Sequence, residues 1–98
     1  MSRSFLAVES ARLGPAQNFL TSTATASSAA FSAQTYQIRI CADVATRYRV
    51  GDGTPSAVPA DTLLPANWVE YVTVTPGQRI AAILGTGTGS LSVTEIIG

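Results

Sequence analysis

Polar and apolar positions alternate most cleanly in two stretches. From Thr35 to Asp43, Tyr36, Ile38, Ile40 and Ala42 share one face, and Gln37, Arg39, Cys41 and Asp43 share the other. That two-residue period marks a half-buried strand. Arg47 to Val50 repeats it, with Tyr48 and Val50 inward and Arg47 and Arg49 outward, until Gly51-Asp52-Gly53 ends the run in a turn. The last third holds three more runs: Val69 to Val74, Arg79 to Leu84 and Ser90 to Ile97. Thr75-Pro76-Gly77-Gln78 divides the first two, with Pro where a type II turn fixes φ and Gly where it needs positive φ. Gly85-Thr86-Gly87-Thr88-Gly89 divides the second from the third. Runs punctuated in this way predict an antiparallel β-meander.

The remaining segments are thinner. Ser4 to Ser10 reads as a strand or extended arm, with Phe5 and Ala7 on one side and Leu6 and Val8 on the other. A short helix through Phe5, Val8, Glu9 and Arg12 competes with it, and Gly14-Pro15 ends either. Thr21 to Ala33 is almost wholly Ser, Thr and Ala, with Phe31 the exception. One or two thin strands are expected there, around residues 18–23 and 29–33, in a stretch ordered mainly by contact with a neighbour. Thr54 to Ala60 carries two prolines and reads as loop, and Thr62-Leu63-Leu64 as a brief strand.

These elements add up to seven or eight short strands and no convincing helix. The predicted fold is all-β: a single small antiparallel β-sandwich, jelly-roll-like, over residues 1–98, with 1–13 an N-terminal arm or edge strand. An open barrel is the alternative. The expected core is Tyr36, Ile38, Ile40, Tyr48, Val50, Leu64, Trp68, Val72, Val74, Ile80, Leu84, Leu91 and Val93.

Charge narrows the function. The 98 residues hold six Arg against six Asp plus Glu, with no Lys and no His. A neutral chain has no long-range field to gather phosphates, which disfavours nucleic acid as a partner. Arginine without lysine suits planar, weakly hydrated contacts with other proteins, although compositional bias gives the same pattern. Only 12% of the chain is charged, a surface poorly protected against association. One cysteine leaves the redox compartment open. Neither a signal peptide nor a membrane-spanning apolar run is visible, so synthesis in a cytoplasm is expected.

Candidate chemistry is sparse. The Gly85–Gly89 repeat superficially resembles a phosphate loop, but a strand-like run follows it and it has no Lys, so a hairpin loop is expected. Asp43, Asp52 and Asp61 are hard oxygen ligands at spacings that match no calcium loop. Cys41 has no His to activate it. Glu9, Glu70 and Glu95 fall in separate runs with nothing to bring them together. No catalytic residue, metal site, cofactor or small-molecule substrate is therefore expected. Arg39, Arg47 and Arg49 would share one sheet face if their strands paired as a hairpin, and would then meet carboxylates of a partner; a solvated face paired with Asp43 is the alternative. Tyr71, together with Phe5 and Leu6 of the arm, completes the expected protein interface. A sugar-stacking role for Trp68 or Tyr71 competes with it.

Several strings carry a resemblance: Tyr48-Arg49-Val50-Gly51, Leu64-Pro65-Ala66, Glu70-Tyr71, Val74-Thr75-Pro76-Gly77-Gln78-Arg79-Ile80-Ala81 and Leu91-Ser92-Val93-Thr94-Glu95. Over about half its length the chain resembles small, Lys-poor β proteins of tailed-bacteriophage virions, of the jelly-roll head decoration (cement) type. The resemblance implies a non-catalytic structural protein on the capsid surface of a virion. Its partners would be the major capsid protein and other copies of itself, and it would act by bridging shell subunits. The acidic or collagen-like extensions of some such proteins are absent. A tail-associated or lectin-like carbohydrate-binding module is the alternative function.

Overall fold

The computed structural model describes residues 13–96. Eight strands follow in order: β1 (Leu13–Thr21), β2 (Ala26–Ser27), β3 (Gln37–Ala42), β4 (Thr46–Gly51), β5 (Thr62–Leu64), β6 (Val69–Thr73), β7 (Arg79–Ile83) and β8 (Gly89–Ile96). All pairings are antiparallel. β1 pairs with β8, β2 with β7, β3 with β6 and β4 with β5. The chain is thus one long hairpin, folded at the β4–β5 connection and wound up on itself. The further pairs β3–β8 and β4–β7 join the turns of the roll into two four-stranded sheets, β1-β8-β3-β6 and β2-β7-β4-β5. This is the jelly-roll winding of a β-sandwich.

The strands of the last third stand where the sequence places them, but they form no meander. β6 and β8 lie in the first sheet and β7 in the second. Turn chemistry explains this. Gly77 has φ 85° and the Gln78 N–H donates to the Thr75 carbonyl at 3.1 Å, a type II turn. Type II turns splay a two-stranded hairpin, whereas the primed types match its twist. This turn, like the loop holding Gly87 at φ 73°, carries the chain across the sandwich. The Gly85–Gly89 segment is therefore a crossover between sheets and not a hairpin loop.

The core lies between the sheets: Ile38, Ile40 and Ala42 of β3, Leu64 of β5, Ile80 and Ala82 of β7, and Leu91 and Val93 of β8, with Val74 and Phe31. Tyr48, Val50 and Val72 pack partly buried against it. Leu84 is buried as expected. Tyr36 and Trp68 are not core: they are 63% and 59% exposed. Each has the inward parity of its run but lies one residue outside its strand, beyond the reach of the facing sheet. Phe31 takes up core space instead, at 3% exposure.

The Ser/Thr/Ala stretch has anchors of its own, contrary to the sequence expectation. The Ser28 N–H donates to the Ile80 carbonyl, and the Ile80 N–H returns a bond to Ser28 Oγ. The Phe31 N–H donates to Gln78, and Gly77 donates back to the Phe31 carbonyl. Gln17 forms a two-way side-chain bridge to the backbone of Ala29. Of the two thin strands expected, residues 18–21 are the end of β1 and residues 29–33 are not strand; Ala26–Ser27 forms the short β2 between them. Gly14-Pro15 does not end a strand either. It lies inside β1, where the register steps from Leu13↔Ile96 to Ala16↔Thr94. Two residues thereby oppose Glu95 in a β-bulge on an edge strand, a place that tolerates Pro.

Glu95 shares the inward parity of Leu91 and Val93 and is buried. Its Oε1 accepts hydrogen bonds from the Ser32 N–H at 3.1 Å and from the Thr35 hydroxyl. Burial pushes this carboxyl up, but the Thr35 and Ser32 hydrogen bonds outweigh it and hold it below the ordinary glutamate range. A buried carboxylate thus ties the segment before β3 to the end of β8.

Candidate functional site

The two outer faces of the sandwich differ. Across the β2-β7-β4-β5 sheet lies the loop of residues 52–61. The Ala57 N–H donates to Thr25 Oγ1 at 2.8 Å beside β2. At the other side Arg49 donates from Nε and Nη2 to Asp61 Oδ1, at 3.1 and 2.9 Å, and Arg47 Nη1 donates to the Asp61 carbonyl. Asp61 Oδ2 accepts from the Val58 N–H at 2.8 Å. The Val58 bond, then Arg49, hold the Asp61 carboxyl below the usual range. Under this cover Ala81, on the outer side of β7, is fully buried, as is Ala57 of the loop.

The opposite face, on β1-β8-β3-β6, carries no such loop among the described residues. Register sets out its rows. Asn18, Ser92, Cys41 and Val69 stand side by side, as do Ala16, Thr94, Arg39 and Tyr71. Leu20 stands opposite Ser90 and is 81% exposed. Tyr71 is 43% exposed and Leu13 is also exposed. Small hydroxyl side chains thus form a floor, with apolar side chains of both edge strands rising beside it. Arg39, Cys41, Asp43, Asn67, Ser90 and Ser92 line an open depression of about 400 Å³ at one end. Asp43 Oδ1 accepts from the Ser90 N–H at 2.9 Å, and Asn67, at φ 59°, donates its N–H to the Ala42 carbonyl. Both contacts fix the rim.

The predicted interface residues are therefore divided. Arg39 and Tyr71 are cross-strand neighbours on the bare face. Arg47 and Arg49 do not join them, because β3 and β4 belong to different sheets and form no hairpin. Their guanidinium groups hold Asp61 of their own chain, so Asp61 and not Asp43 is the internal partner. Phe5 and Leu6 lie outside the described residues.

Among the described residues no three of His, Cys, Asp and Glu gather where a metal ion would be held. Cys41 is half-buried on the floor of the depression. Glu70 faces inward and accepts the Tyr48 hydroxyl at 3.1 Å. Burial first, then this bond and the Glu70 charge, raise the Tyr48 phenol above its ordinary value. Two carboxylates, Glu70 and Glu95, are thus used to join elements of the fold. No described helix is long and apolar enough to cross a membrane. Sequence reasoning missed the Asp61 clamp and Glu95. The parity of Leu91, Val93 and Glu95 was a signal for the second; nothing local signals the first.

No protein-family model matches the chain, and no curated protein or solved structure matches it either.

Proposed function

We propose that this chain is a non-catalytic structural protein of a tailed-bacteriophage virion, a decoration protein that docks on the major capsid shell and bridges its subunits. The observation that carries the reading is the contrast between the faces. One outer sheet is sealed by a loop clamped through Arg49 and Asp61, while the other presents Tyr71 and Leu20 to solvent, with Arg39 half-buried beside Tyr71. Arginine and tyrosine are among the residue types most enriched in the hot spots of protein interfaces. The jelly-roll winding supports the reading by analogy only, since capsid and lectin domains both use it. The Lys-free, weakly charged composition supports it as well. Docking would stabilise the shell by burying this face across subunit junctions, so that opening the shell breaks more contacts.

The test is the protein's copy number in purified particles. Hundreds of copies per particle, reduced by Arg39→Glu and not by Arg79→Glu, support it; absence from particles overturns it. A second reading rests on the polar depression beside Tyr71, whose amide, carboxylate, guanidinium and hydroxyl groups suit a saccharide. A few copies confined to the tail, together with glycan binding lost in Asn67→Ala, would favour that tail-associated or lectin-like role.

A further inference from the structure

We infer that the chain self-associates through its β6 edge, two copies pairing antiparallel about a two-fold axis at Tyr71. The inference does not rest on the virion reading. Four strand edges end the two sheets: β1, β6, β2 and β5. β2 has two residues and β5 three; β1 opens on the Gly14-Pro15 bulge, and beyond it Gln17 is bridged to the Ala29 backbone. Short strands, prolines and bulges are the ordinary protections of an edge. β6, Val-Glu-Tyr-Val-Thr, has none of them. Its one charge, Glu70, points inward, a milder edge protection, and already accepts the Tyr48 hydroxyl. Among the described residues, the N–H and C=O groups that alternate residues of this five-residue strand turn to its outer edge have no strand partner.

The occupant follows from register. Opposed residues must share a face, and only a two-fold at the strand's middle residue engages all five. Tyr71 then meets the partner's Tyr71, Val69 meets Thr73, and Glu70 meets Val72. A centre at Glu70 would instead oppose two carboxylates directly. The same register, extended by one residue, sets Trp68 of one copy beside Val74 of the other. Val74 already neighbours Tyr36, whose carbonyl accepts its N–H at 2.9 Å. Four of the large exposed apolar side chains, Tyr36, Trp68, Val69 and Tyr71, are covered by this one pairing. They would bury about 400 Å² per copy, roughly half of what a standard interface needs, and the strand backbones add more. The dimer is therefore concentration-dependent.

The experiment uses the full chain with Cys41→Ser as background. Cα atoms of a directly opposed antiparallel pair lie about 4.5–5.5 Å apart, within disulfide range. Tyr71→Cys should cross-link to a dimer on mild oxidation. Thr73→Cys alone should not, because its symmetry copy is displaced by four residues, about 13 Å; mixed with Val69→Cys it should give the heterodimer. By sedimentation, Tyr71→Lys should weaken association about tenfold or more with the thermal melt unchanged, as the side chain is 43% exposed. No excess of cross-link at Tyr71 over Thr73, or association indifferent to Tyr71→Lys, overturns the inference. So does a dimer lost only when residues 1–12 are removed, which would give the edge to that segment instead.

Discussion

Replacing Glu95 with Gln should cost stability at neutral pH and little in acid. In the folded chain this carboxylate is buried and takes two hydrogen bonds, from the Ser32 N–H and the Thr35 hydroxyl. Hydrogen bonds to a charged acceptor contribute about 1.5–3 kcal/mol each and neutral ones about 0.5–1.5. Making both neutral therefore loses about 2 kcal/mol, or about 8–16 °C in melting temperature for a domain of this size. Glu95→Ala should cost more, roughly 2–4 kcal/mol, because it leaves the Thr35 hydroxyl and the Ser32 N–H without their acceptor. The sign of the pH dependence follows from the lowered carboxyl pKa. The stabilisation is fully present above the unfolded glutamate value, about 4.3, and is lost as pH falls through the lower folded value. Urea melts followed by far-UV circular dichroism should show a wild-type-minus-Gln gap that is constant near neutrality and closes in acid. Taking the difference removes the separate contribution of Asp61, whose carboxyl is also lowered. A gap below about 0.5 kcal/mol at neutral pH, or one that does not close in acid, would refute this account of the β8 anchor.

Other substitutions test the packing. Phe31→Ala should destabilise by about 3–5 kcal/mol in denaturant melts, and Trp68→Ala by less than about 2 in dilute monomer, because most of the indole is already in water; the reverse order would move the core. Gly89→Ala should cost about 1–3 kcal/mol, since a Cβ there would collide with Val44 Cγ2 and stand 2.9 Å from Asp43 Oδ1; a silent substitution would show that this junction is loose. Gly77→Val should be worse than Gln78→Ala, which removes only an acceptor for the Thr75 N–H; equal effects would remove the positive-φ requirement. Arg49→Ala should change global stability by less than about 1 kcal/mol but speed proteolysis within residues 52–61, and unchanged cleavage would show that the clamp is not holding the loop.

The strands from β3 onward were legible because alternation and turn residues are local; β1, which runs through Gly14-Pro15, was not. Ile38, Ile40, Leu91 and Val93 read as core from parity, and Gly77 read as a positive-φ position from Pro76 before it. Partnership was not legible. Thr75–Gln78 says where β6 ends but not which sheet receives β7, and the meander reading failed there. Parity also fails one residue past a strand end, which is why Tyr36 and Trp68 read as buried and are not. The division of the arginines depended on a contact between Arg49 and Asp61, residues in separate elements joined only by the fold. Arg39 and Tyr71, by contrast, were each readable as outward, and the fold brought them opposite one another.

The central claim is that the β1-β8-β3-β6 face, which no loop covers among the described residues, is the docking surface. Hydroxyl-radical footprinting of particle-bound protein and of free protein dilute enough to be monomeric, read by mass spectrometry, tests it directly. Tyr71, Leu20 and Cys41 should lose reactivity on particles, while Leu63 and Val58 of the loop-covered side keep theirs. Protection of Leu63 and Val58 with Tyr71, Leu20 and Cys41 still reactive would contradict it.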